Sequence, residues 1–358
     1  MYSSLQYSHS ILRFGALAEC GLDEILTKDF SSSRKVVITD ENVFDIWGEH
    51  LITHFEGLSE ADIIHVPPGE ENKTIEICTQ VWGVLSEYQI DRNDLIINIG
   101  GGMVTDLGGF IASTFKRGLK FINIPTSLLA QVDASVGGKT GIDIGPYKNQ
   151  VGVFSNPEMV FIDEHFLSTL PEEEIRSGFA EMLKHGLIGD VAYWRNLQTI
   201  DLSKTASLGE FIYRSVEMKK IIVEADFKEN GIRKALNFGH TIGHALEGFL
   251  MQTGKPQPHG VCVAWGMVAE AYLSSLKSLI TPAELDEIKN SIHQYYAPLI
   301  FPEGSIVDLL KIMQNDKKNA FGTIGFTLLN GIGSVLIDQT ASEEEIESAL
   351  RFILRFSK

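Results

Sequence analysis

The chain has 358 residues, with 44% hydrophobic and 22% charged residues, which describes an ordinary globular protein long enough for two cores. Its formal net charge of −17 argues against nucleic acid or an anionic membrane surface as a partner, although a small anionic substrate is still possible. The 3 cysteines lack metal-ligand spacing, residues 1–10 do not resemble a signal peptide, and no apolar stretch approaches the ~20 residues of a membrane helix. We therefore expect a cytoplasmic protein with no nucleic acid or membrane partner.

Short β-rich segments alternate with helical patterns in the first half of the chain, which is typical of a parallel α/β sheet. Strands are predicted over residues 35–39, 61–66, 95–99, 121–124 and 159–162, and helices over residues 43–55, 74–88 and 104–114. The strand over 95–99 is almost entirely apolar, as expected for burial on both faces. Residues 126–153 are rich in small residues and predict a long functional loop.

The second half is predicted to be mainly helical. Helices are expected from residue 171 onward and over residues 208–225, 241–250, 261–279, 282–296 and 305–315. Two short strands over 325–329 and 334–337 flank a glycine-containing turn and predict a hairpin. We therefore predict a Rossmann-like α/β domain over residues 1–166, and an all-α domain with a small β-hairpin over residues 167–358.

A histidine pair on one predicted helix is the first candidate site. His240 and His244 are four residues apart, so their imidazoles share a face, and His259 follows in a proline-containing turn. Three such residues could bind a catalytic metal, although a helical histidine pair by itself is more often a surface or core pair. His240 is not followed by glutamate, which excludes His-Glu-x-x-His protease chemistry. Arg233 and Asn237 share the side of His240 if its helix begins early.

Three consecutive glycines, Gly100 to Gly102, stand between a predicted strand and a predicted helix. Glycines there let backbone N–H groups approach a pyrophosphate, and three exceed what a tight turn requires. The segment is not Gly-x-Gly-x-x-Gly, so the standard dinucleotide fingerprint is absent. Gly138-Lys139-Thr140 resembles the end of a P-loop, but Asp133 stands where that motif needs glycine, which argues against ATP hydrolysis.

Several charged residues are open to two interpretations. Glu181, Lys184 and His185 share one helical face, and taken alone they predict a solvated ion-pair face. Lys219 ends an apolar helical pattern, and residues 316–318 form a short charge run, so each predicts surface charge when considered alone.

Considered together and in order, these segments resemble the 3-dehydroquinate synthase family over residues 38–337. The motifs that carry the resemblance are Gly69-Glu70-x-x-Lys73, Gly100-Gly101-Gly102-x-x-x-Asp106, Val132-Asp133-x-Ser135-Val136-Gly137-Gly138-Lys139-Thr140-Gly141, Lys148-Asn149, Glu181-x-x-Lys184, Leu236-Asn237-x-Gly239-His240-Thr241-x-Gly243-His244 and His259-Gly260. Ser127, where many relatives have threonine, and Tyr147, where glycine is common, are minor departures.

The resemblance implies an NAD-binding N-terminal domain and a helical C-terminal domain that carries Zn²⁺ or Co²⁺. The implied metal ligands are Glu181, His240 and His259. The implied cofactor contacts are Asp40, Asn42, Glu70, Lys73, Gly101, Gly102, Asp106, Thr126, Ser127, Lys139, Lys148, Thr169 and Leu170. The implied substrate contacts are Arg117, Lys139, Asn149, Lys219, Arg233, His244 and one of Lys317 and Lys318, and the implied catalytic residues are Lys139, Asp133, Lys184, Asn237 and His244. Arg117 is expected to reach across a homodimer interface.

The implied activity converts 3-deoxy-D-arabino-heptulosonate 7-phosphate, a small anionic sugar phosphate, to 3-dehydroquinate and phosphate, a step of the shikimate pathway towards aromatic amino acids. The nearest alternative is another sugar-phosphate cyclase, of the 2-deoxy-scyllo-inosose or 2-epi-5-epi-valiolone type, but Arg233 and Asn237 favour a substrate with a carboxylate. A metal-dependent polyol dehydrogenase that releases NADH is a further alternative. A degenerate protein that only binds NAD is disfavoured, because all three implied metal ligands are present.

Overall fold

The structure is a computed structural model that describes residues 4–7, 10–145, 147–314 and 324–355. The chain forms two compact units, the first of Met1–Pro171 and Ser203–Lys220, and the second of Glu172–Leu202 and Ile221–Lys358. Within the described ranges, no helix combines the length and the apolar composition that crossing a bilayer requires.

The elements are numbered along the chain, and short 3-10 and π turns are named by their residues. The strands are β1 Leu5–Tyr7, β2 Ser10–Phe14, β3 Lys35–Asp40, β4 Asp62–Val66, β5 Leu95–Gly100, β6 Lys120–Pro125, β7 Lys139–Ile144, β8 Tyr147–Phe154, β9 Met159–Ile162, β10 Gly325–Leu329 and β11 Val335–Thr340. The α-helices are α1 Leu22–Glu24, α2 Glu41–His54, α3 Glu56–Ser59, α4 Ile75–Glu87, α5 Gly102–Thr114, α6 Glu172–Gly189, α7 Val191–Leu197, α8 Gly209–Ala225, α9 His240–Gln252, α10 His259–Leu276, α11 Pro282–Tyr295, α12 Ile306–Gln314 and α13 Glu343–Leu354.

The first unit is built on one sheet, which among the described strands has the order β1-β2-β9-β6-β5-β3-β4. β1 is antiparallel to β2, and all other neighbours are parallel. Alternate residues of a strand face opposite sides, so Val36 and Ile38 enter a core with α4 and α5, while Val37 enters a second core with α2 and α3. The predicted Rossmann-like parallel sheet is confirmed.

The predicted long loop over residues 126–153 is wrong, because this segment folds into a π turn at Ala130–Ala134 and the antiparallel hairpin β7–β8. The two strands approach most closely at glycines. A Cβ on Gly141 would lie 2.8 Å from the Val151 carbonyl oxygen, and one on Gly152 would lie 2.4 Å from that of Thr140. Glycine is a poor strand former by propensity, so the residues that permit this hairpin also conceal it in the sequence.

The first unit takes in more of the chain than the expected domain over residues 1–166. It continues through the 3-10 turn Glu164–Thr169 to Pro171, and it includes residues 203–220 from the second half. This later segment is joined to the sheet through side chains. Tyr213 packs edge-on against Phe14 with ring centroids 5.0 Å apart, and Lys219 pairs with Asp133. No helical pattern reports such long-range contacts, since periodicity gives only local structure.

The second unit is helical, with β10–β11 as its hairpin, as predicted. α6 begins directly after Pro171 with three glutamates in its first turn, where negative charge is favourable. α7 and α13 were not predicted. The start of α13 carries a capping box in which Ser342 and Glu345 satisfy each other's backbone N–H groups, a pattern that is readable in the sequence.

Candidate cofactor and metal sites

The carboxyl ends of β3 and β5 form the switch point of the sheet. From β3 the chain moves outward to β4 and then returns to β5 on the other side of β3, so the connections diverge between these two strands. Such a point is the usual ligand crevice of an open parallel sheet. Asp40 ends β3 and Gly100 ends β5, which brings the predicted adenosine contacts Asp40 and Asn42 to the same sheet edge as Gly101 and Gly102.

The three glycines between β5 and α5 differ in how closely other atoms of the protein approach them. A Cβ on Gly100 would lie 2.6 Å from the Val104 side chain, so packing within the protein excludes any larger residue. On Gly101 and Gly102 the nearest atoms would be 3.4 Å away, from Ser127 and Ala134, so internal packing alone does not demand glycine. Gly101 is also the N-cap of α5, without a side-chain cap. These features fit an anion that approaches the backbone N–H groups at the helix start.

A buried lysine links three predicted cofactor residues. Lys73 is 2% exposed, and its Nζ lies 2.9 Å from Glu70 Oε1 and 3.1 Å from Asp106 Oδ2. Burial raises the pKa of Asp106 to about 6, although Lys73 opposes this shift. The Lys73 carbonyl oxygen accepts the N–H of Asp143, which joins this cluster to the hairpin. Burial also raises the pKa of Asp40, whose carboxylate caps α2 by accepting the Val43 N–H at 3.0 Å.

The remaining predicted NAD contacts of this unit are distributed over its strand and turn ends. Thr126 and Ser127 are buried just after β6, and the Ser127 Oγ accepts the N–H of Ala130. Thr169 is exposed, and its hydroxyl accepts the indole N–H of Trp47 on α2 at 3.0 Å, while Leu170 follows it half-buried. Asn42 is exposed in the first turn of α2.

Three predicted contact residues lie on the hairpin, namely Lys139 and Asn149 for the substrate phosphate and Lys148 for the cofactor. Lys139 begins β7 and is exposed, and Lys148 is half-buried on β8. Asn149 is exposed with a φ of 52°, a left-handed conformation that asparagine tolerates, and its N–H donates to Asp143 Oδ1 at 2.6 Å. Lys317 and Lys318 lie outside the described residues.

Two further predicted substrate residues of the first unit differ in environment. Lys219 is 5% exposed, so the alternative of simple surface charge is wrong for it, and its Nζ lies 2.7 Å from Asp133 Oδ1. A residue that ends an apolar helical pattern can face the core when a carboxylate on another element compensates its charge. Arg117 is exposed and has a φ of 70° in the tight turn after α5.

In the second unit, one carboxylate and three imidazoles converge. Glu181 is fully buried on α6, and its Oε1 lies 3.4 Å from His240 Nε2 and 3.8 Å from His259 Nε2. The candidate ligand atoms of His240, His244 and His259 all lie within 4.8 Å of one another. A tetrahedral zinc site with bonds of about 2.0–2.2 Å separates its ligand atoms by roughly 3.3–3.6 Å. The distances from Glu181 to His240 and His259 are therefore close to the spacing of a metal site.

Hydrogen bonds at the far side of two rings orient the ligands. Nδ1 of His240 lies 3.1 Å from the Phe238 carbonyl oxygen, and Nδ1 of His259 lies 3.1 Å from Glu247 Oε2. Both acceptors require a proton on Nδ1, so in its neutral form each ring carries its lone pair on Nε2, facing Glu181. Both oxygens of Glu181 are buried, and among the described residues neither accepts a hydrogen bond of regular geometry. This donor set fits a divalent cation.

The protonation equilibria of the cluster follow from its neighbours. Burial opposes ionisation of Glu181, but the ammonium of Lys184 and the ring of His240 hold its pKa well below the ordinary value. Burial, reinforced by Lys184, lowers the pKa of His240. Burial also disfavours charge on His259, yet the neighbouring carboxylates of Glu181 and Glu247 raise its pKa to about 10. Without a cation, His259 therefore carries a proton at neutral pH.

The interpretation of Glu181, Lys184 and His185 as a solvated face is wrong, because all three are buried on α6. Lys184 Nζ forms an ion pair with Glu181 Oε2. Spacing along a helix cannot distinguish a solvated charged face from one covered by other helices. Here α10 covers it. A Cβ on Gly260, the second residue of α10, would lie 2.0 Å from the Ser177 carbonyl oxygen one turn before Glu181.

Arg233 and Asn237 do not extend the His240 helix. They lie in a 3-10 turn, Ile232–Asn237, and Gly239 with a φ of 80° separates that turn from α9, so the expectation of an early helix start is wrong. Arg233 is buried and donates to the Phe227 carbonyl oxygen at 2.5 Å. Asn237 donates to Glu229 Oε1 at 2.7 Å.

The sequence reasoning missed two carboxylates beside the metal candidates. Glu247 contacts His259, and Glu270, fully buried on α10, accepts the backbone N–H groups of Gly239 and Ile242. Glu247 stands seven residues after His240 and thus on its helical face, a signal that was available. The sequence held no comparable signal for Glu270, because its partners are backbone groups of another helix.

Comparison with known proteins identifies the family of this chain. The chain matches the models described as 3-dehydroquinate synthase N-terminal, over residues 63–177, and 3-dehydroquinate synthase C-terminal, over residues 178–319. It is 44% identical over 304 residues to the 3-dehydroquinate synthase of Parabacteroides distasonis, covering 84% of this chain and 86% of that one. The chain belongs to the 3-dehydroquinate synthase family. A second member, from Clostridium acetobutylicum, is 37% identical over 343 residues, which is 95% of either chain.

Solved structures with the same fold include proteins of lower sequence identity than the family members above. A 2-epi-5-epi-valiolone synthase of Streptomyces hygroscopicus with bound NAD⁺ and Zn²⁺ has a TM-score of 0.81 at 24% identity, covering 99% of this chain and 98% of that one. An NADH-dependent butanol dehydrogenase of Thermotoga maritima has a TM-score of 0.68 at 15% identity, covering 99% and 98%. A synthase and a dehydrogenase therefore share this fold, so the fold by itself does not assign an activity to this chain.

Proposed function

We propose that the chain converts 3-deoxy-D-arabino-heptulosonate 7-phosphate to 3-dehydroquinate and phosphate, as a carbon–oxygen lyase of the shikimate pathway. The family match over both halves of the chain supports the substrate. The observation that carries the chemistry is the buried cluster of Glu181, His240 and His259, whose ligand atoms already have metal-site spacing.

A divalent cation, Zn²⁺ or Co²⁺, fits this cluster. One carboxylate and two neutral imidazoles leave coordination positions open, so the ion supplies Lewis-acid polarisation of a substrate hydroxyl when it is bound. Lys184 keeps Glu181 ionised, which a metal-binding carboxylate requires. The hydrogen bonds at Nδ1 of His240 and His259 hold both rings in the ligating tautomer.

NAD fits the sheet edge of the first unit. The start of α5 at Gly101 and Gly102 suits the pyrophosphate, and Asp40 at the end of β3 and Asn42 at the start of α2 suit the adenosine part. Asp106, held by Lys73, can bind a ribose hydroxyl. The cofactor supplies a hydride acceptor that returns the hydride within the same turnover, so it is not consumed.

The substrate carries an anionic group at each end, and the chain offers cations for both. We assign Lys139, Asn149 and one of Lys317 and Lys318 to the phosphate, with Lys148 on the cofactor side, and Lys219 and Arg233 to the carboxylate. Two carboxylates hold residues of this region in place. Asp133 pairs with Lys219, and Glu229 accepts a hydrogen bond from Asn237. Fixing both ends orients the reacting hydroxyl and the leaving phosphate, so positioning contributes much of the rate.

His244 is assigned to the substrate and not to the metal. Its ring centroid lies 5.1 Å from that of His240 and 5.6 Å from that of His259, so distance alone permits either role. We propose that His244 holds a proton that the substrate exchanges during elimination. If the departing phosphate serves as the base instead, His244→Ala raises KM far more than it lowers kcat.

The assay that tests the function measures phosphate release from the heptulosonate phosphate with catalytic NAD and Zn²⁺. We expect release without accumulation of NADH. Release only with inosose- or valiolone-type substrates would assign the chain to another cyclase reaction. Stoichiometric NADH would favour a polyol dehydrogenase.

A second measurement separates the two possible ligand sets, Glu181 with His240 and His259, or the three histidines. We expect His259→Ala to abolish retention of Zn²⁺ after gel filtration, and His244→Ala to leave it nearly intact. Metal loss from His244→Ala at unchanged thermal stability would contradict the proposed division of roles.

We further propose that the enzyme works in the cytoplasm as a homodimer in which Arg117 reaches the partner's substrate. The buried free thiols of Cys20, Cys78 and Cys262 suit a reducing compartment. Sedimentation of the full chain tests the dimer. Mixing Arg117→Ala chains with chains that carry a substrate-site substitution should restore activity if the arginine acts in trans.

A further inference from the structure

Two buried glutamates connect the helices that carry the metal candidates. Glu247 lies on α9, the helix of His240, but its carboxylate contacts His259 on α10. Glu270 lies on α10, the helix of His259, but its carboxylate contacts the start of α9 beside His240. Each helix thus contributes one of the two proposed imidazole ligands, and also one carboxylate that holds the ligand-bearing part of the other helix.

The spacing along each helix explains this reciprocity. Glu247 follows His240 by seven residues and Glu270 follows His259 by eleven, which at 3.6 residues per turn places each pair within about 20° of the same face. Both faces are directed at the partner helix. The contact between the helices is a backbone contact, because a Cβ on Gly266 of α10 would lie 2.1 Å from the Gly239 carbonyl oxygen.

Glu270 replaces the N-terminal cap that α9 cannot make by itself. Gly239 is the N-cap residue of α9 and has no side chain to accept a hydrogen bond. Glu270 accepts the Gly239 N–H at 2.6 Å and the Ile242 N–H at 3.1 Å, two donors on either side of His240. A carboxylate at a helix N-terminus is also favoured by the helix dipole. The direction in which His240 leaves the helix therefore depends on a residue of α10.

Glu247 acts directly on a ring. Its Oε2 lies 3.1 Å from Nδ1 of His259, and the side chain of Glu247 is 11% exposed, so few waters compete for this bond. The bond selects the tautomer in which Nε2 carries the lone pair, and it fixes the rotation of the ring towards Glu181.

We propose that Glu247 and Glu270 are reciprocal positioning residues of the metal site, Glu247 for His259 and Glu270 for His240. Neither carboxylate touches the cation. This inference rests on the proposed metal-dependent function, and it predicts that metal affinity depends on two glutamates outside the ligand set.

The test uses the full chain freed of metal by a chelator. Dissociation constants for Zn²⁺ and Co²⁺ are measured by competition with a chromophoric chelator for the wild type, Glu247→Ala, Glu247→Gln and Glu270→Gln. Glu287→Gln is the matched control, since Glu287 accepts hydrogen bonds from Trp194 at 2.8 Å and from Gln198 at 3.1 Å within the same unit but contacts none of the metal candidates in the described structure.

We expect affinity to fall about 100-fold in Glu247→Ala and about 10-fold in Glu247→Gln, because glutamine can still offer an acceptor oxygen. Glu270→Gln should weaken binding about 10-fold, since its effect passes through the backbone, and Glu287→Gln should bind like the wild type. The d–d absorption of bound Co²⁺ should change in the Glu247 variants, which a purely structural role does not predict. If Glu270→Gln does not fold, Glu270→Asp, which is too short for both N–H groups, replaces it.

The outcomes separate this inference from the function on which it rests. If the wild type binds metal and releases phosphate while Glu247→Gln and Glu270→Gln bind metal as tightly, only the inference is wrong, and any loss of thermal stability then shows that the carboxylates serve the helix pair alone. If the wild type binds neither ion, the metal-dependent function fails and the inference fails with it.

Discussion

Each unit contains a buried lysine that pairs with a carboxylate, and the two pairs have opposite surroundings. In the first unit, Lys73 lies between Glu70 and Asp106, so carboxylates outnumber the cation. In the second, Glu181 lies between Lys184 and two imidazoles, so basic groups outnumber the carboxylate. Both lysine side chains are 2% exposed, which makes burial nearly equal and leaves the neighbours as the main difference.

The difference decides which ligand each pair suits. Burial raises the pKa of Asp106 to about 6 despite Lys73, so this carboxyl can exchange a proton near neutral pH and can bind a hydroxyl in either state. Lys184 and His240 hold the pKa of Glu181 well below its ordinary value in spite of burial. A carboxylate that stays ionised beside two imidazoles suits a cation. The groups around each lysine–carboxylate pair, and not the pair itself, therefore determine which ligand it suits.

The largest effect is expected from Glu181→Gln, which changes the carboxylate of the second pair. It removes the ionised ligand, and we expect activity to fall about 1,000-fold or more, because a metal Lewis acid supplies several kcal/mol. It also leaves the Lys184 ammonium buried without its partner, which costs about 3–5 kcal/mol of stability. Metal content and denaturant unfolding measure the two effects. Adding Lys184→Met should recover stability but not metal binding, and recovery of both would contradict the assignment of Glu181.

Metal affinity should depend steeply on pH. The carboxylates of Glu181 and Glu247 raise the pKa of His259 to about 10, so below that pH a cation must displace one proton. Apparent affinity for Co²⁺ should therefore rise about tenfold per pH unit, or about 100-fold from pH 6 to pH 8. Titrations in metal buffers test this. His244→Ala should keep the same slope, and a flat profile in the wild type would contradict the protonated state of His259.

Lys73→Met tests the pair of the first unit. Asp106 and Glu70 lose a charge-assisted hydrogen bond worth about 1.5–3 kcal/mol, so we expect NAD to bind roughly 10- to 100-fold more weakly. Affinity for Zn²⁺ should not change. Lys28→Met is the matched control, because Lys28 pairs with Glu24 on the exposed surface of the same unit. Isothermal titration calorimetry with NAD measures the dissociation constant of each variant. Equal NAD affinities for Lys73→Met and Lys28→Met would contradict a place for Lys73 in the cofactor site.

The smallest expected effect is the pH dependence of stability through Asp106. Its folded pKa of about 6 exceeds the ordinary value of 3.8, so between these values the folded state holds more protons than the unfolded state. Stability from this group therefore falls as pH rises through that window. The side chain in Asp106→Asn cannot titrate. The Tm of this variant minus the Tm of the wild type should therefore increase by a few °C from pH 4 to pH 7, because 1 kcal/mol corresponds to about 2–4 °C. A constant difference would show that Asp106 does not titrate there.

Much of the fold could be predicted because its signals are local. The apolar run over β5, the helical periodicity of α2 and α4, and the strand–glycine–helix order at Gly100 to Gly102 were all correct at the level of elements. The hairpin β7–β8 was not predictable by the same means, since its pairing depends on glycines that let two backbones approach. Composition predicts a loop over this segment, because composition does not report strand pairing.

The candidate site divides in the same way. Helical spacing brought His240 and His244 onto one face, and family motifs pointed to Glu181 and His259 at distant positions in the chain. Burial of Glu181, Lys184 and His185 could not be inferred, because a charged helical face has the same spacing whether water or another helix covers it. Glu270 was invisible for a related reason, since it acts on backbone N–H groups that every residue possesses.

The amino-acid sequence by itself determined the alternation of strands and helices, the glycines at the sheet edge and the pairing of His240 with His244 on one face, because each depends on residue type and short-range spacing. Tertiary structure alone decided which carboxylates stay ionised, which ring nitrogen of His240 and His259 is free to bind a cation, and which helix caps the other. Those properties depend on the distances between groups and on the exclusion of water, and both arise only when segments distant in sequence pack together.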